Sequence, residues 1–107
     1  MRSLWAALAL LALGGCSDQG REQARLNSAR VNAENAVLIY TRYPKSVTFR
    51  NELIRLRPEG PVVCGEYSGL NRKREAVAVT HFIFADNEVA FEGAADFARR
   101  WRQVCAS

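Results

Sequence analysis

Val62-Val63-Cys64-Gly65-Glu66-Tyr67-Ser68-Gly69 is the stretch whose reading decides the fold. Its β-branched start and its Ser-Gly end read as a strand that runs into a loop. Just upstream, Pro58-Glu59-Gly60-Pro61 has Pro and Gly at turn-compatible spacing. Residues 46–57 before that turn read as another strand, with a conflict of parity inside it. Val47 and Phe49 share one parity and Ile54 and Leu56 the other, so a regular strand cannot bury both sets on one face. A bulge or bend near Arg50-Asn51-Glu52 reconciles them. The Asn there suits a structural kink, because its amide can satisfy local backbone groups.

Working outward on the other side, residues 69–75 form a polar loop that contains Arg72-Lys73-Arg74. Residues 76–84 are the most apolar strand. Val77, Val79, His81 and Ile83 alternate with Ala78, Thr80, Phe82 and Phe84, and both sets suit a central strand covered on two sides. Asp86-Asn87 predicts a tight hairpin into Glu88-Val89-Ala90-Phe91. From Gly93 onward the spacing is helical, with Phe97, Trp101, Val104 and Cys105 on one stripe and Arg99, Arg100, Arg102 and Gln103 opposite. At the other end, Leu26, Ala29, Ala33, Ala36, Val37 and Tyr40 recur at helical steps. Pro44 disfavours helical geometry at Tyr43, so that helix should stop near Arg42. The fold class is therefore α+β: a small antiparallel sheet of about four strands with an N-terminal and a C-terminal helix. The expected apolar face comprises Val47, Phe49, Ile54, Leu56, Val63, Val79, Phe82, Phe97 and Trp101, with Phe82 and Trp101 nearly inaccessible to solvent.

The first residues belong to something else. Met1-Arg2 is a positive start, and residues 4–13 are an apolar run with Trp5 and several Leu. The run is too short to span a bilayer but suits a signal-peptide core. Leu13-Gly14-Gly15-Cys16, which follows, resembles a bacterial lipobox. The resemblance implies diacylglycerol on the Cys16 sulfur, cleavage after Gly15, and acylation (palmitate) of the new amine; two or three acyl chains anchor stably where one does not. An ordinary secretory peptide that leaves Cys16 free for a disulfide is the alternative. The chain then divides into a signal peptide over 1–15, a lipidated tether over 16–22 and one α+β domain over 23–107. The polar tether is short, so the domain should sit close to its membrane. Ser17, rather than Asp, after the lipidated residue leans towards the outer membrane, facing the periplasm.

With Cys16 on lipid, Cys64 and Cys105 remain, in an exported and oxidising compartment. A Cys64–Cys105 disulfide would close a loop of about 42 residues and stabilise by roughly 4 kcal/mol on the chain-entropy model. Such a staple matters in a core this small. A metal pair or a reactive thiol are the alternatives; His81 is the only histidine and no Cys-x-x-Cys spacing occurs.

Phe49-Arg50-Asn51, Val63-Cys64-Gly65-Glu66, Phe82, Trp101 and Cys105 together resemble a group of short uncharacterised bacterial and prophage envelope lipoproteins, over about residues 43–105. Members of that group carry an F-R-N segment, a V-C-G-E segment and a closing Cys. Where they often have a Gly-Gly-Tyr-type loop, this chain has Arg72-Lys73-Arg74-Glu75. The resemblance implies an envelope location and no particular activity.

Residues 16–107 hold 14 basic and 11 acidic residues, a net charge of +3, since residues 1–15 contain only Arg2. A basic balance raises nucleic acid as a partner, but export disfavours it, leaving anionic lipid, lipopolysaccharide phosphates or an envelope protein. Glu66 beside Cys64 is a candidate acid, or an ion-pair partner for Arg50 or Arg55. His81 amid apolar neighbours suits a hydrogen-bonded core or edge residue better than a base. Ser68 lacks a Gly-x-Ser-x-Gly context. No phosphate loop, paired-carboxylate motif or metal cluster is visible, so neither enzyme activity nor a cofactor is expected. Arg72, Lys73, Arg74 and Glu66 are the candidate binding residues, with Arg99, Arg100 and Arg102 a second basic stripe. The expectation is a lipid-anchored envelope protein with a non-enzymatic binding or structural role. The alternative is an inhibitor of an envelope-acting hydrolase of the lysozyme type, with Glu66 and the loop after it as the inserting element.

Overall fold

The structure, a computed structural model, describes residues 2–106, with side chains from residue 18 onward. Helix α1 (Arg2–Ile39) leads into a short 3-10 turn at Pro44–Ser46. Four strands follow, β1 (Thr48–Arg57), β2 (Gly60–Ser68), β3 (Thr80–Ala85) and β4 (Glu88–Phe91), and helix α2 (Phe97–Val104) closes the chain. The strands form one antiparallel meander in the order β1-β2-β3-β4.

The helices lie on opposite faces of this sheet. On one face Ala29, Ala33 and Val37 of α1 meet Val63, Phe82 and Phe84, with Phe49, Ile54, Tyr67 and Phe91 packed around them. Small alanines four residues apart let the helix approach the sheet closely. On the other face Val62, Cys64 and Ile83 meet Phe97 and Cys105, with Trp101 and Val104 alongside. The result is helix, sheet, helix, with Val63, Phe82 and Ile83 wholly buried in the middle layer. The central strands therefore feed both faces, as expected of a strand covered on two sides, and Val62, Ile83 and Phe84 join the core beyond the nine apolar residues named from the sequence.

The parity conflict in β1 resolves through the expected bulge. Arg50 pairs with Glu66 and Leu53 with Cys64, so Asn51 and Glu52 together oppose Gly65. Asn51 adopts φ 53°, a left-handed geometry that Asn tolerates. Phe49 and Ile54 thereby reach the same face. At the β3–β4 turn Asp86 and Asn87 have φ 54° and 60°, as a two-residue hairpin matched to strand twist requires.

Four expectations need correction. The third strand begins at Thr80, not at residue 76, and Val77 and Val79 are exposed. The ladder runs to Tyr67–Thr80 and then meets only a lone Leu70–Ala76 bridge. Ser68 and Gly69 thus face Val77, Ala78 and Val79, and the extra residue interrupts the regular pairing, although the Val77 N–H still donates to the Gly69 carbonyl at 2.8 Å. Leu56 is 41% exposed. It borders a cleft with Ala24, Arg25 and Ser28 of α1, whose side chains are too short or too polar to cover it. Trp101 is partly buried rather than inaccessible, because it lies at the open edge of the second face. Helix α1 ends at Ile39, three residues early, where the Thr41 hydroxyl donates to the Leu38 carbonyl (2.9 Å) and serves as a local stop. Tyr40 leaves the stripe, 71% exposed, with its ring edge-on to Phe91 at 5.4 Å.

Candidate functional site

Cys64 and Cys105 are joined by a disulfide, with Cα atoms 5.9 Å apart. The bond is buried and pins the end of α2 to the middle of β2. Cys16 lies outside the described side chains. Residues 18–22, expected as tether, are helical and exposed, and α1 first packs against the domain near Leu26.

Glu66 and His81, fifteen residues apart in sequence, are brought together by the β2–β3 ladder. His81 Nε2 lies 3.3 Å from Glu66 Oε1, and Nδ1 lies 3.1 Å from Glu92 Oε1. The His81 backbone N–H donates to the same Glu92 oxygen at 3.2 Å. Those two hydrogen bonds, side chain before backbone, hold the Glu92 carboxyl below its usual range. The Asn51 amide donates to Glu66 Oε2 at 3.3 Å, which ties the bulge into the same chain of contacts. Trp101 stands edge-on to His81 at 5.0 Å and stacks on Phe97 at 5.8 Å. His81, Glu92, Trp101 and Arg102 border a shallow groove of about 480 Å³ with walls of alanine. Both imidazole nitrogens are engaged by carboxylates, so His81 clamps β2 to the turn after β4 rather than standing free as a base. Glu66 sits within the sheet, on a different segment from the protruding loop. Glu92 and Trp101 as partners of His81 were not foreseen; their signal was the β4 register, which brings Glu92 back to β3.

The cationic loop is a built structure. Asn71 Oδ1 accepts from the Lys73 and Glu75 backbone N–H groups at 2.9 and 3.0 Å. Asn71 N–H donates to Glu75 O, and Arg74 N–H to Asn71 O, each at 2.9 Å. Arg74, at φ 62°, folds its guanidinium over the Tyr43 ring (5.4 Å) and donates to the Tyr43 hydroxyl (3.3 Å). Ser46 Oγ accepts from Leu70 N–H at 3.0 Å and donates to Tyr43 O at 2.6 Å, binding the loop base to the 3-10 turn. Gly69 permits this approach, since a Cβ there would meet Ser46 Oγ and Val47 Cγ2 at 3.2 Å. Between this loop and the end of α1 runs a concave groove of about 380 Å³, which Arg42 and Arg72 border along with Tyr40, Val47 and Val77. Arg102 borders the His81 groove instead, and Arg99 pairs with Asp96 at 3.2 Å. Arg72 and Arg102, one from each basic group, thus line different grooves.

A carboxyl pair lies on the α1 face, also unforeseen. Glu52 of the bulge meets Glu34 of α1, and its acidity is weakened to a pKa of about 7. Burial is the largest cause, then a hydrogen bond with Glu34 and that group's charge, with Arg30 opposing. As a carboxylate, Glu52 Oε2 is buried with no donor in reach; a proton shared with Glu34 supplies one.

Among the described residues, no group of three or more His, Cys, Asp or Glu is arranged to hold a metal ion. No helix among them is long and apolar enough to cross a membrane. Compared with family models, with curated proteins and with solved structures, the chain matches none.

Proposed function

We propose that this chain is an exported bacterial envelope protein, cleaved after Gly15, anchored through acyl chains on Cys16, and non-enzymatic, with a binding role on the periplasmic side of the outer membrane. The observation that carries the proposal is the buried Cys64–Cys105 disulfide, which ties α2 to the sheet. Such bonds persist in oxidising compartments and are rare where thiols are kept reduced. The apolar leader and the Leu13-Gly14-Gly15-Cys16 segment support the same location. The non-enzymatic reading is supported by His81, whose ring nitrogens both face carboxylates of the same chain, and the binding role by the ordered display of cations on the 71–75 turn.

Metabolic labelling with a clickable fatty acid tests the anchor. Wild-type protein should incorporate the label and fractionate with membranes, and Cys16→Ser should do neither. A labelled Cys16→Ser protein would sink the proposal.

A further inference from the structure

We propose that the groove between the end of α1 and the 71–75 turn binds an acidic peptide segment of another envelope protein, with one apolar side chain of that segment seated in the groove. The inference deepens the anchored-envelope proposal by naming its partner, and it rests on that proposal only for where the groove points.

Charge comes first. Around the groove, residues 40–47 and 69–79 carry Arg42, Lys45, Arg72, Lys73 and Arg74 against the single acid Glu75. Arg42 and Arg72 border the groove itself, and no acidic residue does. A guanidinium presents a planar fork that fits a carboxylate in two-point contact. The complementary ligand is therefore an anion.

Apolar surface comes second. Ile39 is 80% exposed and Val77 38% exposed, and both border the groove with Tyr40. Simple phosphate or a polar glycan makes no use of such a surface; a peptide that alternates acidic and apolar side chains uses both features. The surface is also concave, which suits an inserted chain better than a flat bilayer.

Preorganisation comes third. The Asn71-centred hydrogen bonds and the Arg74–Tyr43 contact hold the turn in shape before any ligand arrives. A turn already ordered loses little entropy on binding.

Position comes last. The groove lies at the end of α1 remote from Cys16. At 1.5 Å per residue, about 32 Å of helix separates residue 18 from Ile39, several times the roughly 8 Å screening length at physiological salt. On the anchoring proposal, α1 carries these cations away from the head groups that hold the lipid, and towards other proteins. Of the anionic partners weighed from the sequence, this placement favours an envelope protein over the anchoring lipid.

The test uses full-length protein in detergent micelles and a fluorescein-labelled peptide of alternating Glu and Leu, read by fluorescence anisotropy. The peptide should bind, and its affinity should fall as salt is raised. Arg42→Glu with Arg72→Glu should weaken binding by about tenfold or more, and Ile39→Ser should weaken it with the salt dependence unchanged. All three residues lie outside the buried core, and unaltered melting temperatures would show that the variants fold. Equal binding by the charge-reversed variant, or equal binding of a Lys-Leu peptide, would overturn the inference. So would phosphatidylglycerol vesicles that displace the peptide from full-length Cys16→Ser protein, because the site would then belong to a lipid surface. Peptide binding in a protein that takes up no fatty-acid label would fail the anchor while leaving the groove intact.

Discussion

Gly65 is the most closely approached of the described glycines. It faces the two bulge residues of β1, and a Cβ there would meet Phe82 Cζ at 2.9 Å and Glu52 Cγ at 3.1 Å. Phe82 is wholly buried and cannot retreat. Gly65→Ala should therefore destabilise by about 1–3 kcal/mol through overpacking, measured by urea unfolding. Beside it, Glu52 makes stability depend on pH. Its pKa of about 7 in the fold exceeds the ordinary 4.5, so between those values the folded state binds more protons than the unfolded state. Stability must then fall as pH rises through this window. Glu52→Gln should flatten that slope and stabilise the protein at pH 8 by about 1 kcal/mol, after allowance for solvent screening of a half-open site; thermal melts at pH 5 and pH 8 check this. Glu92 acts in the opposite sense and elsewhere: its depressed pKa is stabilising above 4.5 and the contribution is lost as pH falls below it.

Helix α2 shows how one element depends on a covalent tie. At eight residues it is too short to persist alone in water. Phe97, Trp101 and Cys105 hold it to the sheet. Replacing both Cys64 and Cys105 by Ser should cost about 2–5 kcal/mol, with the amides of α2 losing hydrogen-exchange protection before those of β2 and β3. The element was legible because its signal is local: apolar residues at three- and four-residue steps. The β1 bulge was legible in the same way, from the break in parity between Phe49 and Ile54, and the β3–β4 turn from Asp86-Asn87. The start of β3 was not. Val77 and Val79 alternate like strand residues, but whether they pair depends on how many residues face them across a loop. The grooves were hidden for the same reason. Arg42 meets Arg72, Glu34 meets Glu52 and His81 meets Glu92 only once the meander and α1 have set which residues oppose which.

At the scale of the whole molecule, a long helix carries a small three-layer domain at one end. The exposed residues 18–25 of α1 precede the first packed turn. On the anchoring proposal the helix itself is the spacer, and over residues 16–26 it spans about 15 Å. The disulfide closes the domain and the cationic groove lies at its far end. Location and covalent state can be read from one sample. Mass spectrometry of the protein extracted from bacterial envelopes without reductant, intact and after proteolysis, tests both at once. The expected species is a chain that begins at acylated Cys16, lacks residues 1–15, and yields a linked Cys64–Cys105 peptide pair. A mature chain that retains residues 1–15, or that carries free thiols at Cys64 and Cys105, would contradict it.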